Sequence, residues 1–390
     1  MISNLAGYKP TIINNSKSII QMKRIRLILL FLIISICSWA QSRNEINIPD
    51  IPGYLTLKCD FHMHTVFSDG SVWPTIRVTE AWQEGLDAIA ITEHIEYRPH
   101  SQDIQSDHNR SYEIAKPAAD RVGLVLVRAA EITRSMPPGH LNALFIKNAN
   151  LLEREEAMEA IREAKEQGAF LIWNHPGWKA QQPDETKWFD VHSQLLANGM
   201  LHGIEVYNMK EYYPEAVGWA KEKKLTMFAN SDIHAPIGMK FDLEKSHRPM
   251  TLVFAKEKST SAIREALFSR RTAAYFGDTI VGAKEYLAPL FNASLEIQNP
   301  NFSIRNKQVK NIQVHNYSDV DFVLTTSRPS VGVESKDKVV LKAHRTVSIE
   351  LRGNSEELRK MRQIKLHYKV NNLLVGDDTP LDVEIVVPNR

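Results

Sequence analysis

The stretch CDFHMHTVFSDGS, residues 59–71, follows the apolar run GYLTLK and sets histidines at 62 and 64 ahead of an aspartate–glycine pair at 69–70. Along a strand, alternate side chains leave on the same face, so His62 and His64 point together into one space and Met63 points away. That is a metal-ligand geometry. In a chain with 14 histidines the pair is a weak signal alone, and the other ligands must come from the rest of the sequence.

Outward from this segment, β-rich apolar runs alternate with helical patterns from about residue 55 to 280: GYLTLKCDFH, LDAIAITEH, VGLVLVRAAEIT, HLNALFI, GAFLIWNH, HGIEVYN, KLTMFANSD and MTLVFA. Between them lie amphipathic stretches such as NLLEREEAMEAIREAKEQG, with apolar positions at helical spacing and a glycine stop. The alternation predicts a parallel α/β barrel or doubly wound sheet. His62, His94, Glu131, His175 and Asp232 each fall at the C-terminal end of an apolar run, where α/β folds gather catalytic groups.

After about residue 285 the texture becomes short alternating segments with turn signals, such as ASLEIQNPNFSI and QIKLHYKVNN, which predicts a small β-sandwich of immunoglobulin-like type. It carries no catalytic constellation. Packing, substrate shaping or partner contact are its expected roles, and the barrel is expected to keep its ligands without it. The organisation read from the sequence is therefore 1–40, 41–284 and 285–390.

Residues 1–40 comprise an upstream extension and, from Met22, a secretory signal with a basic start, an apolar run to Ile36 and a small-residue end at Ala40. The apolar run is shorter than the roughly 20 residues of a membrane span, so cleavage without a transmembrane anchor is expected, with the product exported to the periplasm. Ile36 before Cys37 does not fit a lipoprotein signal. The segment holds five Lys/Arg and no acidic residue, so the formal +2 of the chain becomes −3 without it. That balance argues against a stable nucleic-acid complex. Only Cys59 remains, so no internal disulfide can form.

The elements DFHMHTVFSDG, ITEH, the glutamate of AAEIT, the histidine of GHLNAL, NHP and SDIH, taken in order, resemble the PHP (polymerase and histidinol phosphatase) domain of metal-dependent phosphoesterases. The resemblance implies a distorted (β/α)7 TIM-like barrel with three divalent ions (Zn, Mn or Fe) at the C-terminal mouth. It implies a first metal on His62, His64, Asp232 and Glu131, a second on Glu131, His140 and His175, and a third on Asp69, His94 and His234. Glu131, Asp232 and His234 would act with a metal-activated hydroxide on a small phosphate mono- or diester. Glu93 stands where the family commonly has aspartate.

Imidazole and carboxylate ligands without thiolates suit those metals. Asp60 either orients a ligand imidazole or ends the strand, and Cys59 is a buried small residue. For substrate, the expected contacts are Arg98 and His100 on the loop after His94, Arg134 after Glu131, Trp178 beside His175, and Tyr207 at a strand end. Export disfavours histidine synthesis and polymerase proofreading. The competing readings are an amidohydrolase-type metal hydrolase and a metal-stabilised binding protein of the cell envelope.

Overall fold

Strand β1 (Leu55–Asp60) is almost wholly buried after its first residue, as a strand covered on both faces must be. It runs parallel to β2 (Ala88–Ile91), and β2 runs parallel to β3 (Val125–Ile132). Helices α1 (Pro74–Gln83) and α2 (Arg110–Val122) make the crossovers. Pro74 sits at the start of α1, where its missing N–H has no intrahelical partner to lose, and α2 stops at Gly123 with φ of 67°. These elements come from a computed structural model that describes residues 42–390; the upstream extension and the export-type segment lie outside the described residues.

Strand β4 (Leu141–Leu144) departs from the all-parallel expectation, because it is antiparallel to both β3 and β5 (Phe170–Trp173). The connection from Ile132 to Leu141 is shorter than the dozen or more residues a parallel crossover needs. Parallel order resumes through β6 (Gly203–Asn208), with the two-residue β7 (Glu211–Tyr212) folded back on it and β8 (Thr226–Asn230) on its other side. Helices α3 (Ala157–Glu166), α4 (Asp190–Ala197) and α5 (Pro214–Lys223) fill these connections.

β9 (Met250–Ala255) then returns antiparallel to β1, and after α6 (Thr260–Phe268) the hairpin β10 (Thr272–Phe276) and β11 (Thr279–Gly282) extends that edge. The sheet curls until the ends of β8 and β1 meet: Asp232 N donates to His62 O at 2.8 Å and His64 N to Ile233 O at 3.0 Å. Both ligand-bearing segments are thus stitched to each other by backbone.

The C-terminal part is the expected all-β module. Helix α7 (Lys284–Ala293) leads to β12 (Leu295–Ile297), β13 (Val309–Asn316), β14 (Phe322–Thr326), β15 (Val333–Ser335), β16 (Lys338–Leu341), β17 (Thr346–Gly353), β18 (Gln363–Leu374) and β19 (Pro380–Pro388). One sheet has the order β12-β13-β17-β15, and the other is built on β16-β14-β18 with β19 beside β18. Burial alternates along β17, β18 and β19, as two facing sheets require.

The module is not separate in the way its change of texture predicts. β18 runs parallel to β11, pairing Ile280 with Leu373 and Val281 with Leu374, so the main sheet continues into the sandwich. Phe291 of α7 meets Phe322 of β14 at 5.1 Å, and one buried apolar cluster includes Ile280, Leu287, Phe291, Phe322 and Leu366. Residues 44–390 form one compact unit. Among the described residues no helix is long and apolar enough to cross a membrane.

Candidate metal centre

The polar side chains at the strand ends converge above the curled sheet. Glu131 is central: its Oε1 lies 3.5 Å from His62 Nε2, 3.1 Å from His140 Nδ1 and 3.7 Å from His175 Nε2. Its Oε2 lies 2.6 Å from His94 Nδ1 and 3.6 Å from His64 Nε2. Asp232 Oδ1 stands 3.2 Å from Nε2 of both His62 and His64. Asp69 Oδ1 reaches His94 Nε2 at 3.4 Å and His234 Nε2 at 3.2 Å. The His64 ring stacks on His94 and His234, with centroids 4.4 and 4.2 Å away.

All nine side chains expected as ligands therefore meet in one place. Their groupings overlap: His64, Asp69, His94 and His234 form one, His62, Glu131 and His175 a second, His62, His64 and Asp232 a third, and His94, Glu131 and His140 a fourth. His94 is drawn towards Glu131 and His140 as well as towards Asp69.

Four of the converging atoms, His62 Nε2, His64 Nε2, Asp69 Oδ1 and Glu131 Oε2, are buried without an aligned hydrogen-bond partner. A buried polar atom left unpaired costs about 1–3 kcal/mol, and folded proteins rarely tolerate several together. Divalent cations held by the overlapping groups would satisfy these atoms, and the imidazole–carboxylate set suits zinc, manganese or iron. The residues present fit such ions.

The electrostatics agree. Burial disfavours charge on Glu131, but the imidazoles of His94, His62 and His140 outweigh it and hold the carboxyl well below its usual range. Asp232 is likewise depressed, against its burial, by His62, His64 and His234. Burial, then the neighbouring His94 and His234, push His64 down to about 3, which keeps its ring neutral and able to ligate. Burial opposes protonation of His94, yet Glu131 and Asp69 push it up to about 10; a metal ion held there would take the place of that proton.

Side chains beneath the ligands set their directions. Glu205, buried in β6, takes His62 Nδ1–H on Oε1 at 2.8 Å, the His175 backbone N–H on Oε2 at 2.7 Å, and the amides of Asn208 and Asn230. Asn174 donates to Glu131 Oε1 at 2.7 Å. Arg77 of α1, fully buried, donates to the carbonyls of His64, Ile233, His234 and Ala235, clamping the two stitched segments from outside. Asp60 is the last residue of β1, so of the two expectations it meets the second; its carboxylate bonds no imidazole. It accepts from Ser231 N and Oγ and from Arg248, and so fixes the backbone just before Asp232.

Glu93 accepts from the N–H and hydroxyl of Thr65 and from the Ser68 hydroxyl, so it holds the loop that carries Asp69. Gly70 is required in that loop, since a Cβ there would lie 2.7 Å from the His64 carbonyl carbon. His175 and Asp232 both adopt left-handed backbone, with φ of 27° and 47°. Such strain persists only where surrounding bonds impose it, here Glu205 on the His175 N–H and His62 O on the Asp232 N–H.

A cavity of about 430 Å³ opens over the ligands, and its outer wall is Tyr97, Thr133, Trp178, Asn208, Met209 and Glu211. Of the expected substrate contacts only Trp178 belongs to it. Arg98 is turned onto Phe67 O and Ser106 O, and Arg134 pairs with Glu96 and bonds the carbonyls of Arg154 and Glu155. His100 serves a turn through its carbonyl, which accepts from Asp103 and Ile104. Tyr207 is buried against Tyr212 with ring centroids 4.6 Å apart, so it packs the core. The side chains of Arg98, Arg134 and Tyr207 thus have partners outside the cavity. The sequence reading gave no role to Glu205, Asn174, Arg77 or Glu211; Asn174 lies in the NHP motif, whereas the other three carry no local pattern.

A family model described as an Ig-like domain matches residues 295–386. A solved two-domain protein of Bacteroides vulgatus, containing a predicted PHP-like metal-dependent phosphoesterase, is 47% identical, with 89% of this chain and 100% of that one covered and a TM-score of 0.84. An uncharacterized protein of Methanocaldococcus jannaschii is 26% identical over 192 residues, 46% of this chain and 83% of its own length.

Proposed function

Since the chain belongs to the two-domain PHP-like metal-dependent phosphoesterases, we propose that it hydrolyses a phosphate ester at a trinuclear centre held by His62, His64, Asp69, His94, Glu131, His140, His175, Asp232 and His234. The observation that carries this reading is the set of four buried ligand atoms without an aligned hydrogen-bond partner, His62 Nε2, His64 Nε2, Asp69 Oδ1 and Glu131 Oε2, within the converging ligand groups. When bound, divalent ions supply Lewis acidity, lowering the pKa of water and neutralising phosphoryl oxygens.

The chain's own groups do the rest. Glu131, kept ionised by its imidazoles and oriented by Asn174, offers both oxygens to the centre. Asp232 Oδ1 reaches His62 and His64 equally, so it would share in holding an ion with that pair. His234, the most exposed of the ligand rings, stands at the mouth where an ester would arrive. Among the described residues no lysine belongs to the cavity wall, which disfavours the amidohydrolase reading with its bridging lysine. The export-type segment supports action outside the cytoplasm.

Elemental analysis of purified protein, followed by assay against p-nitrophenyl phosphate and bis(p-nitrophenyl) phosphate with Mn²⁺ or Zn²⁺, tests the proposal. Two to three ions per chain and turnover of at least one ester are expected. His64→Ala and Glu131→Ala should each lower metal content and abolish turnover; full activity in either rejects the ligand set. Amide or lactone cleavage with both esters untouched would favour the amidohydrolase reading instead.

A further inference from the structure

Apart from the ligands, the cavity wall holds, among the described residues, two aromatic rings, one thioether, one amide, one hydroxyl and one carboxylate, and no lysine or arginine. Trp178 is 40% exposed and leans T-shaped on His175 and His140, with centroids 5.2 and 5.9 Å away. Tyr97 is 53% exposed and stands T-shaped to His94 at 5.9 Å. Both rings thus keep much of their surface turned to the opening. Glu211, exposed on β7, accepts from the Tyr213 hydroxyl at 2.6 Å and makes no ion pair among the described residues.

This wall is selective by charge. Ions at the centre would receive the phosphoryl charge of monoester and diester alike, so the wall discriminates by what the rest of the substrate carries; among the described residues its one charged side chain beyond the ligands is the Glu211 carboxylate. A diester carries a single negative charge. If one of its alcohols bears a cationic nitrogen, that cation meets a carboxylate and aromatic faces, the two groups that attract cations best in a partly desolvated cleft.

Resting on the phosphoesterase reading, we infer that the substrate is a zwitterionic phosphodiester in which one alcohol carries an ammonium or trimethylammonium group, recognised by Glu211 together with Trp178 and Tyr97. The reaction is a simple hydrolysis. Water oxygen bonds to phosphorus, one ester P–O bond breaks, the alcohol leaves with a proton, and a phosphate monoester remains.

The test compares p-nitrophenyl phosphorylcholine with methyl p-nitrophenyl phosphate, which share a leaving group and differ in the cation, and with p-nitrophenyl phosphate. The metal-loaded full chain should favour the choline ester over the methyl ester by about tenfold in kcat/KM, as a carboxylate and an aromatic face acting together would produce. Glu211→Gln and Trp178→Ala should each reduce that ratio by roughly threefold with metal content retained. A ratio near one in the parent protein, an unchanged ratio in Glu211→Gln, or preference for the monoester overturns the inference and leaves the phosphoesterase standing. No turnover of any of the three esters overturns both.

Discussion

Glu205 Oε1 accepts from His62 Nδ1 at 2.8 Å, and both side chains are fully buried. The bond places the His62 proton on Nδ1 and leaves Nε2 facing Asp232 and Glu131, the side on which a metal would sit. The same carboxylate holds the His175 backbone, so one residue of β6 orients two ligands from β1 and β5.

Glu205→Gln keeps the volume but turns an NH₂ group towards donors that now face oxygen. Metal affinity should fall by about 10- to 100-fold, the usual effect of losing the group behind a ligand imidazole. Competition against a chromogenic chelator measures it, and parental affinity would mean that packing alone orients His62.

Arg248 has no exposed surface and donates to Asp60 Oδ2 and Glu84 Oε2, each at 3.0 Å. Arg248→Met removes the counter-ion of two buried carboxylates. Breaking a buried pair in this way costs about 3–5 kcal/mol, which urea denaturation should read as lost stability. A loss under about 1 kcal/mol would show that water reaches the carboxylates in the variant.

His192 supplies a pH dependence away from the metal centre. Burial pushes its imidazole down to about 4 from the ordinary 6.5, although Nε2 donates to the Pro138 carbonyl; Nδ1 accepts from Phe189 N–H and so has no room for a second proton. Between these values the unfolded chain binds the proton and the folded chain does not, so stability rises with pH across the window and is lost as pH falls from about 6.5 to about 4. The contribution is at most about 3 kcal/mol. Unfolding free energies at pH 4.5, 5.5 and 6.5 should show a shallower slope in His192→Gln than in the parent; parallel slopes would exclude His192 as the source.

Truncation after residue 284 should yield insoluble protein. It unpairs β11 from β18 and strips the partners of a shared apolar cluster, leaving an unprotected sheet edge. A soluble fragment that still bound metal would show that the sandwich is dispensable.

Much of the centre was legible because its signals are local. The i, i+2 histidines, the aspartate–glycine loop and the polar residue closing each apolar run are patterns that strand geometry imposes over a few positions, and all nine expected ligands do meet. The antiparallel β4 was also within reach, since a short connection cannot make a parallel crossover. Arg98 and Arg134 are placed near the mouth by sequence, but their partners there, Ser106 and Glu96, are visible only in the folded chain.

The amino-acid sequence alone determined the strand-and-helix alternation, the ligand types and their arrival at strand ends, because these depend on side-chain periods and turn chemistry within single elements. Tertiary structure alone decided which groups stand behind the ligands and which face the cavity: Glu205 meets His62 across 143 residues and Arg248 meets Asp60 across 188. Those contacts arise only when the curled sheet excludes water and each buried charge must take the nearest partner the fold provides.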